Sequence, residues 1–241
     1  MPDQFPILSL ILWTPILGVL ALLFVPRAKG RLIRWIGIGT TFVPLALSAW
    51  LYAAFDLADG GAQFAETIRW IQFSLNSELL VQLLGSVDEY RLQFDYALAA
   101  DGISLPLVFL TTLIASMAAL ASVYVKQRHK TYFILFLLLE TGMLGVFLAR
   151  DLFLFFLFFE VALVPVFFLI GIYGLYEREK AANWFLVYNG IGSAFMLIAF
   201  LILIATAGMT MNGASFVFTG NYDVIFANIH DPGHVSNAAA Y

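Results

Sequence analysis

Six apolar stretches, Ile7–Val25, Ile36–Phe55, Ile103–Val125, Thr131–Ala149, Leu152–Gly174 and Trp184–Ala207, dominate this chain. A helix rises about 1.5 Å per residue, so roughly 20 apolar residues match the hydrocarbon core of a bilayer. Lipid offers the backbone no hydrogen bonds, and helices satisfy their own. Composition agrees: the 241 residues are 62 % hydrophobic and 12 % charged, too little polar surface to coat a water-soluble core. The fold class is therefore all-α, a polytopic membrane helix bundle. The opening MPDQFPILSLILWTPILGVL has no basic n-region, so it reads as a first spanning helix rather than a signal peptide.

Charge predicts the orientation. Arg27, Lys29, Arg31 and Arg34 follow helix 1; Lys126, Arg128 and Lys130 follow helix 3; Arg178 and Lys180 follow helix 5. Only Arg69, Arg91 and Arg150 lie in the alternate links. Basic residues concentrate on the cytoplasmic side, which places the N-terminus outside.

Four regions follow. Residues 1–56 hold helices 1 and 2, and residues 57–102 form an external acidic loop. Residues 103–208 hold helices 3 to 6, and residues 209–241 are an external polar tail. The loop segment AETIRWIQF suits a short strand or an interfacial helix, and SELLVQLLGSV is mildly amphipathic. The loop needs no role beyond joining helices 2 and 3. Ending in a polar segment, the chain is expected to be the N-terminal part of a longer one, truncated before a seventh helix.

Several chemistries are excluded. There is no cysteine to ligate iron–sulfur clusters or zinc, and the three His are scattered at 129, 230 and 234. No Gly-rich nucleotide fingerprint follows a strand. A net charge of −4 without a basic stripe argues against nucleic acid.

What remains is acid in the membrane. Glu160 lies eight residues beyond Leu152, about 12 Å into its helix, and Glu140 lies nine beyond Thr131. Helices 4 and 5 run antiparallel through a tight Arg150–Asp151 turn, so both carboxyls are expected at one depth. A charge there is costly, and a carboxylate that gains and loses its proton as a cation moves is what a proton relay requires. The structural alternative is a protonated acid bonded to a neighbour. For Glu140, a close helix contact through Gly142 and Gly145 would by itself explain a polar patch. Pro165 frees the carbonyl of Val161 and predicts a local break just beyond Glu160. Asn183, Tyr188, Asn189 and Ser193 offer a polar lining at the start of helix 6. No basic side chain falls within the six stretches, so Glu160 lacks an intramembrane counter-ion here.

ADGISLPLVFLTT (Ala100–Thr112), LLLETGMLGVFLARDLFLFFLFFEVALVPVFFLIGIYG (Leu137–Gly174) and NWFLVYNGIGSAFMLIAFLIL (Asn183–Leu203) resemble subunit M of proton-pumping NADH–quinone oxidoreductase, respiratory complex I, the mitochondrial subunit 4 family. More distantly the chain is similar to antiporter-like subunits of multisubunit sodium/proton antiporters and membrane-bound hydrogenases. The resemblance implies a proton-translocating membrane-arm subunit of about fourteen helices in two inverted five-helix repeats, each with a broken helix. Glu160 matches the family's essential helix-5 glutamate, and Glu140 the additional carboxylate of helix 4. The family partner of the helix-5 glutamate, a lysine in helix 7, lies beyond this sequence. Asn183 stands where many relatives have lysine. The resemblance also implies a bacterial plasma membrane, with other membrane-arm subunits, including neighbouring antiporter-like ones, and the lipid bilayer as partners. No cofactor is expected on this chain; NADH, FMN, iron–sulfur clusters and quinone would belong to partner subunits. The alternatives are a subunit of a sodium/proton antiporter or membrane-bound hydrogenase, and a scaffold subunit whose buried acids merely pair.

Overall fold

A computed structural model describes residues 6–56, 58, 61–75, 89–125, 128–212 and 215–230. Among the described residues six helices are long and apolar enough to cross a membrane: α1 (Ile7–Phe24), α2 (Gly30–Ala54), α3 (Ser104–Ala121, extended by a 3-10 turn to Tyr124), α4 (His129–Leu148), α5 (Leu152–Tyr173) and α6 (Arg178–Ala207). All six expected spans are present.

Their ends differ from the apolar stretches. α2 begins at Gly30 and takes in Arg31 and Arg34; α6 begins at Arg178, six residues before Trp184. Long basic side chains reach back to the polar layer, so a helix continues past the point where its sequence stops being apolar. Hydropathy marks the edge of the lipid, not the end of the helix. α5 is one continuous helix through Pro165, without the expected break. Pro106 sits in the first turn of α3, where a missing N–H costs no helical bond.

The larger departure lies outside the spans. AETIRWIQF falls within a strand, β1 (Gln63–Ser74), and the end of the acidic loop forms β2 (Glu89–Ala100). SELLVQLLGSV lies outside the described residues. The polar tail supplies β3 (Met209–Asn212), β4 (Ser215–Thr219) and a short helix, α7 (Tyr222–His230). These strands make one sheet of order β1-β2-β4-β3. β2 pairs parallel with β4, placing Tyr90 opposite Phe216 and Leu92 opposite Phe218, whereas β3 and β4 are antiparallel. Parallel strands require a crossover connection, and here it is the four helices α3 to α6. An even number of crossings returns the chain to the side it left, so loop and tail share one face of the membrane.

By contact the chain divides into two compact units. The first comprises Met1–Glu66, Leu98–Leu148 and Leu157–Ile191. Its core includes Val19, Leu22, Ile33, Ile38, Ala119, Phe133 and Leu137. Gly37 admits the Phe133 ring so closely that a Cβ would overlap it. Between α2 and α3 the hydroxyls of Ser48 and Thr112 are 2.8 Å apart, and Ser116 donates to the Thr41 carbonyl, the polar bonding used where lipid removes the hydrophobic drive for association. Pro6 gives α1 no capping side chain. Instead Glu66 of β1 accepts the N–H groups of Leu8 at 2.7 Å and Ser9 at 3.0 Å. That satisfies two orphan donors and sets a carboxylate at the positive end of the helix dipole. The loop therefore does more than join two helices.

The second unit comprises Thr67–Ala97, Ala149–Phe156 and Gly192–Tyr241. Tyr90, Leu152, Ile204, Phe218 and Ile225 form its core. The turn before α5 is stitched into it: Arg150 N–H donates to Ala97, Leu152 N–H to Gly220, and Tyr222 N–H to Arg150.

Candidate functional site

Glu140 lies in the middle of α4 and is 2 % exposed. Neither of its carboxyl oxygens has a hydrogen-bond partner, nor has Oε1 of half-buried Glu160 on α5. Among the described residues no ion pair engages either acid. Buried polar atoms are nearly always satisfied, so three such oxygens on two adjacent helices call for an explanation.

Small residues bring these helices together. A Cβ on Gly142 would lie 2.7 Å from the Ala162 Cβ and 2.8 Å from its Cα, and one on Gly145 would overlap the Phe158 ring. The crossing thus pairs Gly142 with Ala162 and Gly145 with Phe158. Each glutamate lies two residues before the first of these contacts on its own helix. Because the helices are antiparallel, Glu160 lies inside the crossing, between Phe158 and Ala162, and Glu140 lies just outside it, about 6 Å away along the helices at 1.5 Å per residue. They do not share one depth as expected. They are offset by about one turn.

The proposed polar lining of α6 is not assembled. Asn189 Nδ2 donates to the Phe185 carbonyl of its own helix, and Asn183 and Tyr188 are exposed. Ser193 is buried.

A residue not singled out by sequence reasoning is Asp151. Its Oδ1 accepts the N–H groups of Phe153 at 2.9 Å and Leu154 at 3.2 Å, capping the helix that carries Glu160. Asp immediately before a long apolar run is an N-cap signature, so the cap itself was legible. Its burial was not. Burial raises its pKa from the usual 3.8 to about 6, against the lowering effect of the Leu154 and Phe153 N–H groups. Next to it Arg150 pairs with Asp223 at 2.8 Å.

A pH dependence follows. Asp151 holds its proton in the folded protein up to about pH 6, whereas the unfolded chain releases it near 3.8. Its contribution to stability is full below the unfolded value and is lost as the pH rises through 6. The ionised form costs about 3 kcal/mol at neutrality, at roughly 1.4 kcal/mol per pKa unit. Thermal unfolding of the detergent-solubilised protein should therefore shift upward from this group as the pH is lowered from neutrality. Asp151→Asn keeps an acceptor for both N–H groups and should remove that component; an unchanged pH profile would refute the assignment.

Two family models match adjacent parts of the chain. Residues 62–150 match NADH-ubiquinone oxidoreductase chain 4, amino terminus, and residues 149–227 match NADH:quinone oxidoreductase/Mrp antiporter, TM. Subunit M of NADH-quinone oxidoreductase from Rhodobacter capsulatus is 37 % identical over 208 residues, 85 % of this chain and 37 % of that protein. Chain 4 of NADH-ubiquinone oxidoreductase from Marchantia polymorpha is 35 % identical over 205 residues, 84 % of this chain and 38 % of the relative. The chain thus spans little more than a third of these relatives' length. Among solved structures, a chain of respiratory complex I from Thermus thermophilus superposes with a TM-score of 0.65 at 24 % identity, covering 92 % of this chain and 39 % of that one. A chain of the archaeal membrane-bound sulfane sulfur reductase gives 0.61 at 27 % identity, covering 84 % and 28 %. Among the described residues no group of three or more His, Cys, Asp or Glu is placed to hold a metal ion. With both family models in register along a multi-pass membrane bundle, the chain belongs to the family of NADH-quinone oxidoreductase subunit M, or chain 4, antiporter-like membrane subunits.

Proposed function

We propose that this chain forms part of a proton-translocating membrane-arm subunit of NADH-quinone oxidoreductase, with residues 103–208 beginning the translocating module. The observation that carries the reading is Glu140, buried with both carboxyl oxygens unpartnered, one turn in depth from Glu160 across a glycine crossing. Two acids offset along the membrane normal can hand a proton between depths, which two acids at one level cannot. Glu160 is the acid that a mobile cation engages and leaves, the coupling that a proton relay requires. The cation comes from another part of the subunit or from a neighbour. NADH oxidation, FMN, iron–sulfur clusters and quinone reduction belong to partner subunits, and the remaining membrane-arm subunits, including antiporter-like neighbours, are its partners. The membrane is the bacterial plasma membrane, with the N-terminus outside and the three basic links in the cytoplasm.

A sodium/proton antiporter subunit is the second reading, favoured by the match of residues 149–227 to a model shared with Mrp antiporters. Inverted membrane vesicles separate the two. The pump reading expects NADH to acidify their interior without sodium, and deletion of the gene to abolish that acidification. Sodium-driven collapse of a preformed proton gradient that depends on the gene, with NADH-driven pumping intact in its absence, would overturn it.

A further inference from the structure

The basic links were used above only to orient the chain, but two of them build something more specific. Arg27, from the link between α1 and α2, joins Arg128, His129, Lys130 and Thr131, from the start of α4, around a cavity of about 300 Å³. Among the described residues no acidic one lines it. Arg27 and Arg128 are exposed, and no carboxylate among the described residues pairs with either. Lys130 is held in place by donating to the carbonyls of Leu23 at 3.1 Å and Val25 at 2.8 Å, which cap the end of α1 while its charge stays at the cavity. His129 Nδ1 is buried without a partner. The first helical bond of α4 runs from the Tyr132 N–H to the Arg128 carbonyl, so the N–H groups of His129, Lys130 and Thr131 precede the ladder and add positive potential. The site is built for an anion.

Its surroundings say which kind. The cavity lies where spanning helices end, and Phe24 at 88 % exposure, three residues before Arg27, and Tyr124 at 85 %, four before Arg128, stand uncovered at the ends of α1 and α3. A free anion has no use for exposed aromatic surface beside it. A phospholipid uses both, with its phosphate among the cations and its acyl chains along the apolar helix ends. The geometry points to a binding site for the headgroup of one anionic phospholipid, held between the α1–α2 link and the first turn of α4.

The test uses the assembled complex in nanodiscs of phosphatidylcholine with a minor fraction of photoactivatable phosphatidylglycerol. Wild type should be labelled at the first turn of α4, and Arg27→Ala with Arg128→Ala should weaken phosphatidylglycerol retention about tenfold or more. Arg27→Lys with Arg128→Lys should restore much of it. Lys29→Ala with Arg31→Ala removes the same charge from exposed residues that do not line the cavity and should leave retention unchanged. Equal loss in both alanine pairs would reduce the site to a diffuse basic surface. Suppression of labelling by millimolar inorganic phosphate would make it a free-anion site, and label on a neighbouring subunit with none on the first turn of α4 would show that protein, not lipid, covers the cavity. Each of these three outcomes overturns the proposal.

Discussion

Glu160→Gln is expected to leave the complex assembled and to lower proton pumping tenfold or more. Glutamine preserves the size of the side chain and removes only its titration. Glu160 Oε1 has no hydrogen-bond partner to lose, so the substitution breaks no network that holds α5 in place. On the proposed function it also removes the interaction with a mobile cation. Two unit charges about 4 Å apart interact by roughly 4 kcal/mol at an effective dielectric near 20, so acid and cation would be strongly coupled. Without that coupling, movement of the cation no longer loads or unloads a proton. Where turnover is tightly coupled to pumping, quinone reductase activity should fall as well. Glu160→Asp keeps the acid on a shorter arm and should retain more of both. Assembly is checked on native gels, and pumping is read as protons per electron. Wild-type stoichiometry in a fully assembled Glu160→Gln complex would remove this residue from the obligatory path.

Gly145→Ala should be the most damaging single methyl group in the bundle. The added Cβ would overlap the ring of Phe158, far inside van der Waals contact. Phe158 is only 4 % exposed, so its ring has little space into which to swing. Overpacking of this kind costs about 1–3 kcal/mol, and more where neither side can yield. The expected result is a clear fall in the thermal unfolding midpoint. In complexes that still assemble, pumping should also fall, because α5 is pushed off α4 and the two glutamates move apart. The double variant Gly145→Ala with Phe158→Leu relieves the overlap and should recover at least half of the lost stability. A double-mutant cycle measures that coupling. Independent, additive effects of the two substitutions would show that the helices do not meet here as described.

The six spans were legible because membrane insertion is judged segment by segment. Each stretch carries its own transfer cost, whatever the rest of the chain does. The same local reasoning singled out Glu140 and Glu160, since an acid within an apolar run stands out without any knowledge of its neighbours. Asp151 was passed over, although an Asp immediately before a long apolar run is a local helix-start signal.

What only the tertiary structure decided depends on residues far apart in the chain meeting in space. Leu92 pairs with Phe218 across four intervening helices, and nothing local in either strand names the other. Glu66 caps α1 from a strand nearly sixty residues away. The relative depth of the two glutamates was set by where Gly142 and Gly145 receive α5, a packing choice that the length of each helix does not fix. Helix boundaries moved for a related reason: apolar sequence records where lipid begins, while the backbone stays helical until its carbonyls and N–H groups find other partners. Transfer energy is a property of the segment, and was readable in the sequence; register, capping and crossing geometry are properties of pairs of segments, and needed the fold.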